Sequence, residues 1–322
     1  MRFLIAIAAW MATLFGTAHA QERYPSKPLR LVVPFAPGGS TDIFARLTAE
    51  RLAAPLGQPV VVENLLGAAG NIGAEAVARS APDGYTLLMA TTGVMTINNA
   101  LYRNNMPYDA AKDLEPVVLV ASIANVLIVP PELPAKDVAE LIALAKKEPG
   151  RLSFASSGAG SSTHMSAELF KSLSGTDLLH VPYKDSGQAL PELMSGRVSM
   201  MFEIMPGAVS HIRAGKVRAL AVTGLKRSAA MPELPTLAES GVVGYESLFW
   251  SGIAVPVGTP RDLIERLNRD INAVLASRDM RQKLAEQGAE AMGGPPQAFV
   301  EHVHAEREKW SRVIRDNNIV IN

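Results

Sequence analysis

Three stretches of this chain carry the residue types from which an anion site can be built without a cation. They are Pro34-Phe35-Ala36-Pro37-Gly38-Gly39-Ser40-Thr41-Asp42, Ala90-Thr91-Thr92-Gly93-Val94-Met95-Thr96 and Ala155-Ser156-Ser157-Gly158-Ala159-Gly160-Ser161-Ser162-Thr163-His164. Glycine allows close backbone approach, and serine and threonine hydroxyls donate or accept. No Asp, Glu, Lys or Arg lies between Leu31 and Thr41 or between Leu152 and Ala167. Each stretch is predicted to join the carboxyl end of a strand to the start of a helix. There, free backbone N–H groups and the positive end of the helix dipole favour an anion. Ordinary capped turns are the alternative for each loop; three of one chemistry at one sheet edge also fit a ligand-binding edge.

Motifs for catalysis are missing. Gly158-Ala159-Gly160-Ser161-Ser162-Thr163 lacks the third glycine of a dinucleotide fingerprint, and neither a phosphate-loop sequence nor a G-x-S-x-G elbow occurs. A hydrolytic set would have to be assembled in space from Ser161, His164 and Asp42. Asp42 reads first as helix-start chemistry, with a ligand contact as the second reading. His180 reads as a strand-end residue. His302 and His304, two apart on a predicted helix, diverge and are expected to face solvent.

The elements that must position these loops alternate. Extended segments are predicted at Leu29–Phe35, Val60–Glu63, Tyr85–Ala90, Pro116–Ala121, Val126–Val129, Leu152–Ser156, Leu178–Pro182, Val198–Phe202, Val217–Val222 and around Glu246–Val255. Helical patterns stand between most of them, including Thr41–Leu56, Thr92–Leu101, Ser162–Leu173 and Ser186–Met194. Such alternation predicts an α/β fold with mostly parallel sheets. The long extended passages near Val117–Val129 and Glu246–Val255 read as paired crossovers between two lobes, 21–123 with 248–322 and 124–247.

Composition bounds the function. The 322 residues contain no cysteine, and 31 Lys plus Arg balance 31 Asp plus Glu. This excludes disulfides, thiolate metal sites and a lipidated cysteine, and leaves no basic footprint for nucleic acid. Residues 1–20 have Arg2, an apolar run from Phe3 to Phe15 and Ala18-His19-Ala20, the pattern of a cleavable secretory signal peptide. Its removal takes one arginine, so the formal charge becomes −1. Export without cysteine suits a bacterial periplasm.

In their order, several segments resemble one known family. They are Tyr24-Pro25, the Pro34–Asp42 loop, Glu63-Asn64, Gly70-Asn71-Ile72-Gly73, Ala81-Pro82-Asp83-Gly84-Tyr85, the Gly158–His164 loop, His180-Val181-Pro182-Tyr183-Lys184, Ala214-Gly215-Lys216-Val217-Arg218-Ala219-Leu220-Ala221-Val222-Thr223, Pro235-Thr236-Leu237-Ala238-Glu239-Ser240-Gly241 and Trp250-Ser251-Gly252. Together they are similar to the substrate-binding proteins of tripartite tricarboxylate transporters, one group of which is called Bug receptors. The resemblance spans the mature chain. It implies a two-lobed periplasmic binding protein of type II, the Venus flytrap kind, with a sheet in each lobe and a two-crossover hinge. It implies a small carboxylate held in the interlobe cleft by amides, hydroxyls and waters at Phe35, Pro37, Gly38, Gly39, Ser40, Thr41, Asp42, Gly158, Gly160, Ser161, Ser162, Thr163 and His164, with Thr91, Thr92, Tyr183 and Lys184 as wall residues. It implies no cofactor or metal, a monomer, and a membrane permease as partner. Delivery to a sensor kinase and an exported hydrolase are the alternatives.

Two positions depart from the family pattern. Asp185 stands where glycine is usual, and Glu203 where aspartate is frequent. A carboxylate turned toward the cleft would favour a ligand with an amine or a neutral end; the plain reading makes Asp185 the start of a helix.

Overall fold

The structure is a computed structural model describing residues 24–102 and 106–319; the signal peptide read at 1–20 lies outside them. Strands β1 (Leu29–Val33), β2 (Val60–Asn64) and β3 (Thr86–Thr91) pair in parallel, with β1 in the middle. β1 reads Leu-Arg-Leu-Val-Val and is buried on both faces except at Arg30, as a central parallel strand requires. Helices α1 (Ser40–Leu56) and α2 (Asn71–Ala78) return the chain between these strands. After β3 the backbone forms a π-helical turn at Gly93–Ile97 and continues as α3 (Asn98–Tyr102), so the single predicted helix is in two parts.

A short α4 (Ala110–Asp113) leads into β4 (Leu114–Val129), 16 residues long. The two extended segments predicted within the long passage near Val117–Val129 form one continuous strand, which changes partners along its length. From Leu114 to Ala124 it pairs antiparallel with β9 (Leu248–Pro256), whose other edge pairs with β3. From Asn125 onward β4 pairs antiparallel with β7 (Met200–Ile204) and, from Val126, with β8 (Arg218–Val222). Beyond β7 lie β5 (Ser153–Ser156) and β6 (Leu179–Pro182), in parallel. A two-residue β10 (Glu290–Ala291) adds to β4 at Ala121 and Ser122. Parallel pairing is therefore confined to the outer strands, and the strands that cross the middle run antiparallel. The remaining helices are α5 (Val138–Lys147), α6 (Ser162–Ser174), α7 (Ser186–Met194), α8 (Met205–Arg213), α9 (Arg261–Ala276), α10 (Arg278–Glu286) and α11 (Pro296–Asp316).

The last helix links both halves of the core. Its Phe299 meets Trp250 of β9 edge to face at 5.6 Å, while Trp310 and Ile314 are buried with Phe154, Phe170 and Phe202 around β5, α6 and β7. His302 is not solvated as the spacing predicts: its ring packs on Trp250 at 5.0 Å, and burial lowers its pKa, while His304 stays exposed. Gly252 makes the Phe299 contact possible. A Cβ there would lie 2.6 Å from the Phe299 ring and 2.7 Å from the Val118 carbonyl oxygen. Gly252→Ala is expected to destabilise the fold by about 1–3 kcal/mol, the usual overpacking cost, measurable as a fall in denaturant midpoint.

Candidate ligand site

Parallel strands end at the same edge, and that is where the three loops meet. β1, β2 and β3 deliver the loops after Val33, Asn64 and Thr91 to one edge of their sheet. β5, β6 and β7 deliver those after Ser156, Pro182 and Ile204 to one edge of theirs. The two edges touch. A Cβ at Gly93 would stand 3.2 Å from the Gly160 carbonyl oxygen, and one at Gly160 would stand 2.9 Å from Asn98 Oδ1. The Tyr102 hydroxyl donates to the Ala159 carbonyl at 3.4 Å. Phe35 joins the same row: its ring lies 3.1 Å from where a Gly70 Cβ would be, with Val94 at 3.0 Å.

The start of α1 is the most open anion acceptor here. Its N-cap, Gly39, has no side chain, and no side-chain hydrogen bond caps the first turn. Pro37, Gly38 and Gly39 are exposed, Ser40 half-buried. Gly38 has φ +83°, which a residue with a Cβ adopts only under strain. Asp42 holds this loop rather than facing its mouth. Its Oδ2 accepts from the Gly38 N–H at 2.9 Å and from Arg46 Nε at 2.9 Å, and its Oδ1 from Asn64 Nδ2 at 2.9 Å. Burial raises its pKa, but Arg46, the Gly38 amide and Asn64 outweigh burial and hold it below the ordinary aspartate range. Thr41 is buried in the same turn.

The start of α6 is built differently. Ser161 caps it, accepting the His164 N–H at 3.2 Å, while its hydroxyl donates to the Gly158 carbonyl at 2.6 Å. Thr163 Oγ1 accepts the Ser157 N–H at 3.0 Å. Ser162, Thr163 and His164 are buried. The His164 ring receives the Gly160 N–H on Nδ1 and faces Glu168 with Nε2, so it does not address the Ser161 hydroxyl. Asp42 is bound to its own loop. Ser161, His164 and Asp42 thus form no nucleophile–base–orienter chain.

The second loop divides. Thr92 is committed to β9, accepting the Trp250 N–H at 3.1 Å. Thr91 Oγ1 is buried without a partner, and so is Ser251 Oγ, which belongs to the residue registered opposite it across the β3–β9 ladder. Registered residues share a face about 5 Å apart, so two unpaired hydroxyls lie side by side near Gly93. Ser251 and Asn98 carry no local pattern that marks them as site residues; Ser251 stands in the sequence only within the Trp250-Ser251-Gly252 segment. Tyr183 and Lys184 follow β6, and the Tyr183 N–H donates to the Ser156 carbonyl at 3.0 Å. Tyr183 brings its carbonyl to within 3.7 Å of a Gly158 Cβ position, but burial and Glu192 raise its phenol pKa, with Arg197 opposing. Lys184 is exposed.

The two departures face the helices. Asp185 caps α7, accepting the Gln188 N–H at 3.0 Å. Glu203 is 3% exposed, accepts from the Ser186 hydroxyl at 2.7 Å, and lies 2.6 Å from a Cβ position at Gly207 in α8. Burial pushes its pKa up to about 7, against the Ser186 and Ile204 hydrogen bonds. The folded state therefore holds this proton more tightly than the unfolded chain. Stability should fall as pH rises from about 4.5 to about 7, by an order of 3 kcal/mol at most, then level off. Glu203→Gln should remove that slope in thermal unfolding followed across pH; an unchanged slope would assign it to another group.

Comparison with known proteins bears on the family and the fold. A family model described as the tripartite tricarboxylate transporter family receptor matches residues 44–319. BugT of Bordetella pertussis is 38% identical over 316 residues, covering 98% of this chain and 97% of that protein. The solved structure of Rpa4515 of R. palustris with adipate has a TM-score of 0.87 at 41% identity, covering 92% of this chain and 99% of that one. MatC of Rhodopseudomonas palustris with bound malate has a TM-score of 0.82 at 33% identity, covering 90% and 100%. The fold is thus the two-lobed periplasmic binding protein fold of type II. The chain belongs to the tripartite tricarboxylate transporter receptor family, a family of solute-binding receptors.

Proposed function

We propose that this protein is a periplasmic receptor that captures a small carboxylate between its lobes and delivers it to a tripartite tricarboxylate-type permease. The observation that carries the proposal is the uncapped start of α1, with exposed Gly38 and Gly39 beside the half-buried Phe35, at the sheet edge whose Gly93 loop meets a second glycine-serine loop from the other sheet. Adipate and malate in the two solved relatives support the ligand class. The lobes are 21–123 with 248–322 and 124–247, and the hinge lies where β4 exchanges β9 for β7 and β8. Residues 1–20 direct export. Among the described residues no helix is long and apolar enough to cross a membrane.

The energetics suffice without a cation. Micromolar binding needs about −8 kcal/mol. One helix start contributes roughly 0.3–2 kcal/mol and each hydrogen bond to a charged group roughly 1.5–3 kcal/mol. Three or four such bonds in a closing cleft reach the total. The test is native mass spectrometry of the protein purified from periplasm, then thermal shift with adipate, malate, tricarboxylates, amino acids and aromatic acids. A carboxylate that raises the melting temperature is expected; stabilisation by none of them would overturn the reading.

A further inference from the structure

Below the third loop lies a stack of rings that the ligand reading does not use. His164 stacks on His180 at 4.0 Å, and His180 on Phe154 at 4.7 Å. His164 Nδ1 accepts the Gly160 N–H at 3.2 Å, and a ring nitrogen accepts only when it carries no proton. Nε2, which faces Glu168 Oε1 at 3.7 Å, is then assigned the proton of the neutral ring. Gly158 is tied to the same stack through one hydroxyl: its N–H donates to Ser156 Oγ at 3.3 Å, and Ser156 Oγ bonds His180 Nε2 at 2.7 Å.

The charged groups about this stack are few. Glu168 and Lys171, 3.0 Å apart, stand on α6 with His164 itself. β6 contributes His180, and β5 contributes Phe154 and Ser156, which do not titrate. Burial, then His164 and Lys171, push the His180 pKa down to about 3 against Glu168. His180 therefore stays neutral where an imidazole ordinarily titrates.

Gly160 also meets the other edge, at Gly93 and Asn98, beside Ala159, whose carbonyl accepts from Tyr102. We propose that His164 is a positioning residue that holds Gly160 against the first lobe as an unprotonated acceptor, and that its protonation releases the loop and weakens ligand capture in acid. A proton on Nδ1 sets two N–H donors face to face at 3.2 Å, and Gly160 is the partner that lies outside the helix. Glu168 stabilises the protonated ring, so the cost falls on the loop. The ligand part of this inference rests on the receptor reading above; the loop part does not.

Both parts are tested on the full mature chain. In ¹⁵N NMR without ligand, titrated from pH 8 to pH 4, the Gly160 amide is expected to shift together with the His164 ring nitrogens. A Gly160 amide that ignores the ring titration overturns the proposal. In calorimetry with adipate as probe, wild type is expected to bind about two- to fourfold more weakly at pH 6.0 than at pH 8.0, the most that uptake of one imidazole proton gives over that range. His164→Asn, whose amide oxygen can stand at the Nδ1 position and takes up no proton, should show a ratio near one. Comparison of the two proteins cancels the titration of adipate itself, and equal ratios overturn the proposal. Absence of adipate binding at pH 8.0 counts against the choice of ligand in the receptor reading, while the NMR result still decides the loop.

Discussion

Gly39→Asp should abolish ligand binding while leaving the protein as stable as before or slightly more so. Gly39 is the N-cap of α1 with φ −75° and ψ 167°, an extended conformation open to any residue, and a Cβ there meets only the Ala36 carbonyl oxygen, at 3.6 Å. An aspartate at an N-cap accepts the N–H groups of the first turn, normally contributing about 0.5–2 kcal/mol. Asp42, already buried in that turn, subtracts from the gain by repulsion. A ligand carboxylate needs the same N–H groups. Losing two charge-assisted hydrogen bonds at roughly 1.5–3 kcal/mol each predicts a fall in affinity of about 100-fold or more. Calorimetry with the best carboxylate of the thermal panel, alongside a melting curve, separates the effects. Gly39→Asn occupies the cap without charge and should fall between. Undiminished affinity in Gly39→Asp would remove the start of α1 from the site.

Gly160→Ala should weaken binding more than it weakens the fold. Gly160 has φ +83°, where a Cβ costs roughly 1–2 kcal/mol in any conformation of the whole molecule that keeps this turn. The added Cβ also stands 2.9 Å from Asn98 Oδ1 and 3.2 Å from Leu101 Cδ2, both on α3 beyond β3, the side that the proposed division gives to the other lobe. That second cost exists only while the lobes meet. The expected result is a modest drop in melting temperature and a further loss of about tenfold in affinity, with a larger radius of gyration in small-angle scattering. Pairing with Asn98→Ala should recover part of the affinity but none of the melting temperature, a coupling that a double-mutant cycle reads directly. Loss of affinity in strict proportion to stability would mean that the contact does not belong to closure.

Much of this protein follows from local sequence. Glycine and proline punctuation, apolar runs and hydroxyl-rich helix starts locate α1, α6, α7 and the parallel strands to within a few residues, because caps and periodicity are short-range physics. The glycines at 38, 158 and 160 mark turns needing positive φ, and all three adopt it. Pattern also carries the reading of Asp185 as a helix start, since N-capping needs only the next three residues.

What tertiary structure alone decided lies between distant residues. Ser122 to Asn125 look like a break because nothing local shows that β4 passes from β9 to β7 there. His302 leaves the solvent because Trp250, 52 positions earlier in the chain, comes to lie beside it. Thr91 and Ser251 become a pair only through the β3–β9 register. Asp42 and His164 look like ligand contacts by position, yet each spends its acceptors on its own loop, at Gly38 and at Gly160. Residue type and local propensity determined which loops can bind an anion through their amides. Long-range packing, which sums many weak contacts with no signature in any short window, decided which of those amides remain open to a ligand.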